Sequence, residues 1–145
     1  MTTPIYALMG FVFWTVFLVL AIGGVRVLQV MRGETAVNGF PSGQPHGGDS
    51  YWRLNRAHMN CVENLPLFAA VVLAGHVTGL TAGTFATLAE VYMIGRVLQS
   101  IIHVSSGSAM AVNLRFTCFV VQVGCLLTMA SLVVSQMRLV NHSRH

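Results

Sequence analysis

The sequence predicts an all-α protein, an integral membrane four-helix bundle, on three observations. Hydrophobic residues make up 54% of the chain, charged residues only 8%, and the mean hydropathy is +0.69. An ordinary soluble domain carries roughly 25% charged residues. The apolar residues fall into four long runs separated by polar, turn-forming segments. A membrane helix needs about 20 residues to cross about 30 Å of hydrocarbon, so 145 residues hold four spans and little else.

The first span is predicted over about 5–31. It is free of charge until Arg26 and carries Phe11, Phe13, Trp14 and Phe17. Residues 1–10 contain no basic side chain and the run exceeds a signal-peptide core, so the span is expected to be retained. Residues 33–50 are rich in Gly, Pro, Ser and Asn without an apolar period and read as a loop. The second span, about 53–78, opens with the polar string from Arg53 to Glu63. Pro66 inside it is tolerable where bundle neighbours satisfy the freed carbonyl, and it marks a potential kink. The third span, about 82–104, contains Glu90 and Arg96. The fourth, about 113–136, is uncharged beyond Arg115. Residues 78–81 and 105–108 are the connecting turns, and the whole chain, 1–145, reads as one four-span domain.

The chain has no lysine. Arg26, Arg32, Arg53, Arg56, Arg96 and Arg115 lie toward the first and third loops, against Arg138 and Arg144 on the other side. The positive-inside rule then makes those loops cytoplasmic and leaves both termini outside. Positive charge carried by arginine alone points to a GC-rich genome, and so to a bacterial inner membrane rather than the endoplasmic reticulum.

Helical spacing gathers these residues. Arg53, Arg56, Asn60 and Glu63 step by three, four and three along span two, and Arg96, Gln99 and His103 step by three and four along span three. Arg26 closes span one and Arg115 opens span four at the same level. Four helices thus deliver cationic or polar groups to one end of the bundle, as expected for an anionic ligand held between helices. Charge within a span is costly unless it is paired, faces the bundle interior or meets water. The competing reading is structural: Glu63 neutralises Arg56 or Arg96 in an ion-pair network that fixes helix register. Arg32 and Arg53 read as headgroup anchors. Glu90 reads equally as a functional group or as a paired carboxyl at a helix interface, and His76 as a helix-contact histidine.

His58 and Cys61 are spaced i, i+3, but no second ligand pair accompanies them, so no metal site is expected. Cys118 and Cys125 read as core residues. No phosphate-binding glycine loop, nucleophile elbow or basic run suited to nucleic acid is present.

The pattern Arg53-x-x-Arg56-Ala57-His58-x-Asn60-x-x-Glu63-x-x-Pro66, followed by Gly95-Arg96 and by Arg115, resembles the MAPEG family, the membrane-associated proteins of eicosanoid and glutathione metabolism. The resemblance covers nearly the whole chain. It implies a homotrimer that binds glutathione between subunits near the cytoplasmic side and acts on a lipophilic small molecule drawn from the membrane lipid. Carried over position by position, it implies that Arg26, Arg56, Asn60, Glu63, Arg96 and Arg115 hold glutathione or its thiolate. Arg115 would stabilise the thiolate, Arg26, Arg56 and Arg96 the carboxylates, Glu63 the amine or a neighbouring arginine, and Asn60 the peptide backbone. Gln99 and His103 stand where the prostaglandin and leukotriene branches carry tyrosine or histidine, and both keep a polar contact. Phe116 follows Arg115 where the prostaglandin branch has a hydroxyl, with Thr117 close by, and Asn64 follows Glu63 where the leukotriene branch has an aromatic ring. The implied activity is glutathione transfer to an apolar electrophile or reduction of a lipid hydroperoxide, with no eicosanoid assigned. The alternative is a lipid-binding or scaffold protein of the same fold without turnover.

Overall fold

A computed structural model of the chain describes residues 2–41 and 43–142. Arg144, counted in the charge bias above, lies outside the described residues. Four α-helices follow one another: α1 (Thr3–Met31), α2 (Asp49–Val77), α3 (Gly83–Ser105) and α4 (Ala109–His142). All four are long and apolar enough to cross a membrane. At 1.5 Å per residue even α3 exceeds the hydrocarbon thickness, and α4 reaches about 51 Å.

The helix ends explain how the boundaries differ from the expected spans. Gly33 and Gly79 have φ of 72° and 84°, and each closes a helix with the left-handed residue of a Schellman motif. Glu34 N–H donates to the Gln29 carbonyl at 2.9 Å and Leu80 N–H to the Gly75 carbonyl at 2.8 Å. These two stops fall where composition predicted them. The starts of α2 and α4 lie four residues earlier than the expected spans. Asp49 occupies the first turn of α2, where a carboxylate suits the helix dipole. Ser108 Oγ accepts from Ala111 N–H at 3.2 Å and caps α4. The first residues of α2 are polar and carry no apolar signal, while residues 109–112 at the start of α4 are apolar and the Ser108 cap sets the boundary. Helix α2 runs unbroken through Pro66, which is exposed.

Helices α2 and α3 pack against each other, and each also packs against both α1 and α4; α1 and α4 do not meet. The flanking helices therefore define two separate faces of the α2/α3 pair. The core is built on three rings from three helices. Phe68 stacks on Tyr92 at 4.3 Å and 4°, and Phe11 lies 6.0 and 6.2 Å from them. Gly75 lets α2 approach α3, since a Cβ there would overlap the buried Phe85 ring.

Candidate functional site

The largest concentration of the expected polar residues is in one open cavity of about 240 Å³ among α2, α3 and α4. Arg56 and Asn60 enter it from α2, Gln99 and His103 from α3, and Arg115 from α4, while Val112, Phe116 and Phe119 supply an apolar wall. The i, i+4 spacings Arg56/Asn60 and Gln99/His103 are what bring each pair to one face. Arg115 joins them because α4 begins only three residues after α3 ends.

Gln99 does more than line the cavity. Its Nε2 donates to the Arg115 carbonyl at 3.1 Å, and its Oε1 accepts from Gln122 Nε2 at 3.2 Å. Gln122 Nε2 also donates to the Cys118 carbonyl at 2.9 Å. This amide pair pins the first turns of α4 to α3, so Gln99 positions Arg115. Gln122, 1% exposed, was not singled out in the sequence. It is partnered by Gly95, where a Cβ would sit 3.2 Å from Gln122 Cγ. A glutamine deep inside a membrane span is the signal that could have found it, because polar interhelical bonds and small residues recur at membrane helix contacts.

Arg96 is not in the cavity. It is 2% exposed, inside the bundle, with its guanidinium 5.8 Å from the Phe11 ring and 5.9 Å from the Tyr92 ring. Its Nε and Nη2 have no hydrogen-bond partner among the described residues. The i, i+3 step to Gln99 rotates Arg96 far enough to face α1 instead of α4. Ser100 Oγ donates to its carbonyl at 2.9 Å and meets Cys61 Sγ at 3.5 Å, so Cys61 has a hydroxyl contact inside the core.

Arg26 also stands apart. Its Nε donates to Tyr51 Oη at 2.7 Å, its guanidinium lies 5.2 Å over Phe40, and it lines a second cavity of about 420 Å³ with Val27, Val30 and Asn38. Glu63 continues the Arg56/Asn60 stripe one turn deeper and is exposed. The arginine contacts recorded in the bundle are to hydroxyl and carbonyl oxygens and aromatic faces, not to Glu63. Among the described residues, no ion pair joins Glu63 to Arg56 or Arg96. Arg53, read as an anchor, is tied to the end of α3 by Nε to the Val104 carbonyl at 3.2 Å. His76, read as a helix-contact histidine, is exposed, because its step from Gly75 turns it away from Phe85. Glu90 is exposed beside Thr3, Tyr6 and Met93 in a further cavity. Cys125 is buried as expected and Cys118 half-buried.

The cavity can bind anions. Two guanidinium groups offer paired donors matched to carboxylates, Asn60 offers an amide, and the three apolar residues accept a hydrophobic body. It is smaller than the roughly 300–1,000 Å³ of small-molecule sites and open, which fits a site that another surface completes. A sequence model of the MAPEG family matches residues 4–135 of the chain. No curated protein matches it.

Proposed function

The chain belongs to the MAPEG family, and from that premise we propose that it is a glutathione-dependent transferase or peroxidase acting on an apolar electrophile or a lipid hydroperoxide. It is a multi-pass integral membrane protein of the type that serves glutathione and eicosanoid metabolism. The observation that carries the finer reading is the convergence of Arg56, Asn60, His103 and Arg115 from three helices on one cavity with a phenylalanine wall.

Glutathione carries two carboxylates and a thiol of pKa about 8.5. Arg56 binds a carboxylate through its planar fork, and Asn60 hydrogen-bonds the peptide. Arg115, fixed by Gln99 through its own carbonyl, favours the thiolate, and the released proton passes to water at the cavity mouth. The sulfur then forms a bond to the electrophilic carbon as the leaving group departs with its electron pair. With a hydroperoxide, two thiols are oxidised to the disulfide while the O–O bond is reduced to alcohol and water. Phe116 and Phe119 receive the apolar acceptor from the bilayer. The chain assembles as a homotrimer in this reading, Arg26 of an adjacent copy closes the open side, and Glu63, one turn beyond Asn60 on α2, orients the glutathione amine. Arg96 lies in the bundle interior and supports the cavity from behind without lining it.

Purified protein in detergent, mixed with glutathione and a generic aryl halide electrophile, should give conjugate and a rise in thiolate absorbance. Absence of both would leave the non-catalytic lipid-binding reading of the fold in its stead.

A further inference from the structure

The face of the α2/α3 pair opposite the cavity, where α1 packs, carries an apolar groove of about 350 Å³. Its walls are Trp14, Phe17 and Ala21 of α1, Leu54 of α2, and Ile101 and Val104 of α3. The Trp14 and Phe17 rings stack at 5.4 Å, and Phe17 is 56% exposed. The groove lies at the end of the bundle that bears the first and third loops, since it reaches the last turn of α3 and the first turns of α2.

A cation stands at this end of the groove. Arg53, next to Leu54, donates from Nε to the carbonyl of Val104 and from Nη2 to Ser50 Oγ at 3.0 Å. These two bonds use part of a five-donor fork and hold the guanidinium against a residue that lines the groove. No bond among the described residues joins it to a carboxylate. Asp49, one turn before Arg53 on α2, makes no ion pair with it among the described residues, and the other carboxylates of the spans are remote from it. Glu63 is ten residues beyond Arg53 along α2, and Glu90 fourteen residues before Val104 along α3, which at 1.5 Å per residue is about 15 and 21 Å. An apolar trough with a fixed guanidinium at its membrane-surface end matches an amphiphile with a negative headgroup.

We propose that this groove holds one acyl chain of an anionic phospholipid from the surrounding bilayer, with the headgroup phosphate on Arg53. The site is distinct from the glutathione cavity, because no residue lines both. It therefore stands or falls independently of the proposed catalysis.

Trp14 reports on the groove directly. In full-length protein carrying Trp52→Phe, Trp14 is the remaining tryptophan, and bromine on an acyl chain in the groove quenches it. The protein is reconstituted in phosphatidylcholine vesicles, and brominated phosphatidylglycerol or brominated phosphatidylcholine is titrated in. Quenching by the anionic lipid should show about five-fold higher relative affinity, the scale of one basic side chain beside an anionic headgroup. Arg53→Gln should reduce the preference to near unity, and Ala21→Phe, which fills the groove, should remove the selective quenching while circular dichroism stays that of the parent. Equal quenching by both lipids, or a preference that survives both variants, would overturn the proposal. So would absence of quenching together with efficient cross-linking of Ile101→Cys between copies, which would make the groove a subunit interface.

Discussion

Arg115 owes its place to the backbone as much as to its own side chain, because the carbonyl of Arg115 is what Gln99 grips. If its charge stabilises a thiolate, Arg115→Leu should lower turnover about 10-fold to 1000-fold, or about 1.4 to 4 kcal/mol, with a smaller effect on glutathione affinity. Turnover, affinity and thiolate absorbance measured on one preparation separate that outcome from simple loss of binding. The amide pair gives a sharper structural test. Gln99→Leu leaves Gln122 Nε2 with only the Cys118 carbonyl and one buried N–H unpaired, at a cost of about 1–3 kcal/mol, and should lower the unfolding temperature in detergent. Gln99→Leu with Gln122→Leu should recover most of that stability, since two apolar partners leave no orphan. Turnover should stay low in the double variant if Gln99 positions Arg115. The spacing of Arg56, Asn60, Gln99 and His103 made their shared face legible in the sequence. The fate of Arg96 was not legible. A three-residue step turns a helix by 300°, and whether the remaining 60° faces a cavity or a core depends on the neighbouring helix.

At the scale of elements, apolar length located all four helices, and glycine chemistry located two of their ends. Gly33 and Gly79 supply the positive φ that a Schellman stop requires. The early start of α2 carries no hydropathy signal because Asp49 and Ser50 are polar, whereas that of α4 extends through apolar residues 109–112 to the Ser108 cap. The close approach of α2 to α3 is also invisible to hydropathy. Gly75 sits against the Phe85 ring, which is 2% exposed, so a larger residue must displace an aromatic side chain in a packed core. Gly75→Val should destabilise the bundle by about 1–3 kcal/mol. Gly124, with open space around it, is the control, and Gly124→Ala should be close to neutral. Equal losses in the two variants would mean that helix propensity rather than packing governs both sites.

For the whole molecule, the up-and-down order of the helices brings the first and third loops to one end, where Arg26, Arg53, Arg56 and Arg115 cluster. By the arginine bias that end is expected to be cytoplasmic. Single cysteines introduced at Asn38 and at Ala82, with Cys61, Cys118 and Cys125 replaced by serine, should react with an impermeant maleimide from opposite sides of the membrane, Ala82→Cys from outside. Labelling of both from one side would exclude the four-span topology. The cavity and the groove occupy opposite faces of the α2/α3 pair because α1 and α4 do not meet.

The sequence by itself determined the solvent, the number of spans and the level at which the polar residues gather. Apolar content, helix length and the period of 3.6 are local properties, and each is written in consecutive residues. Only the tertiary structure decided which of those residues share a cavity. It put Arg56, Asn60, Gln99, His103 and Arg115 together, sent Arg96 into the aromatic core, left Arg26 and Glu63 on other surfaces and recruited Gln122. The physical reason is that a helix presents every side chain at a fixed angle about its axis, while the direction of that angle is set by the helices packed around it.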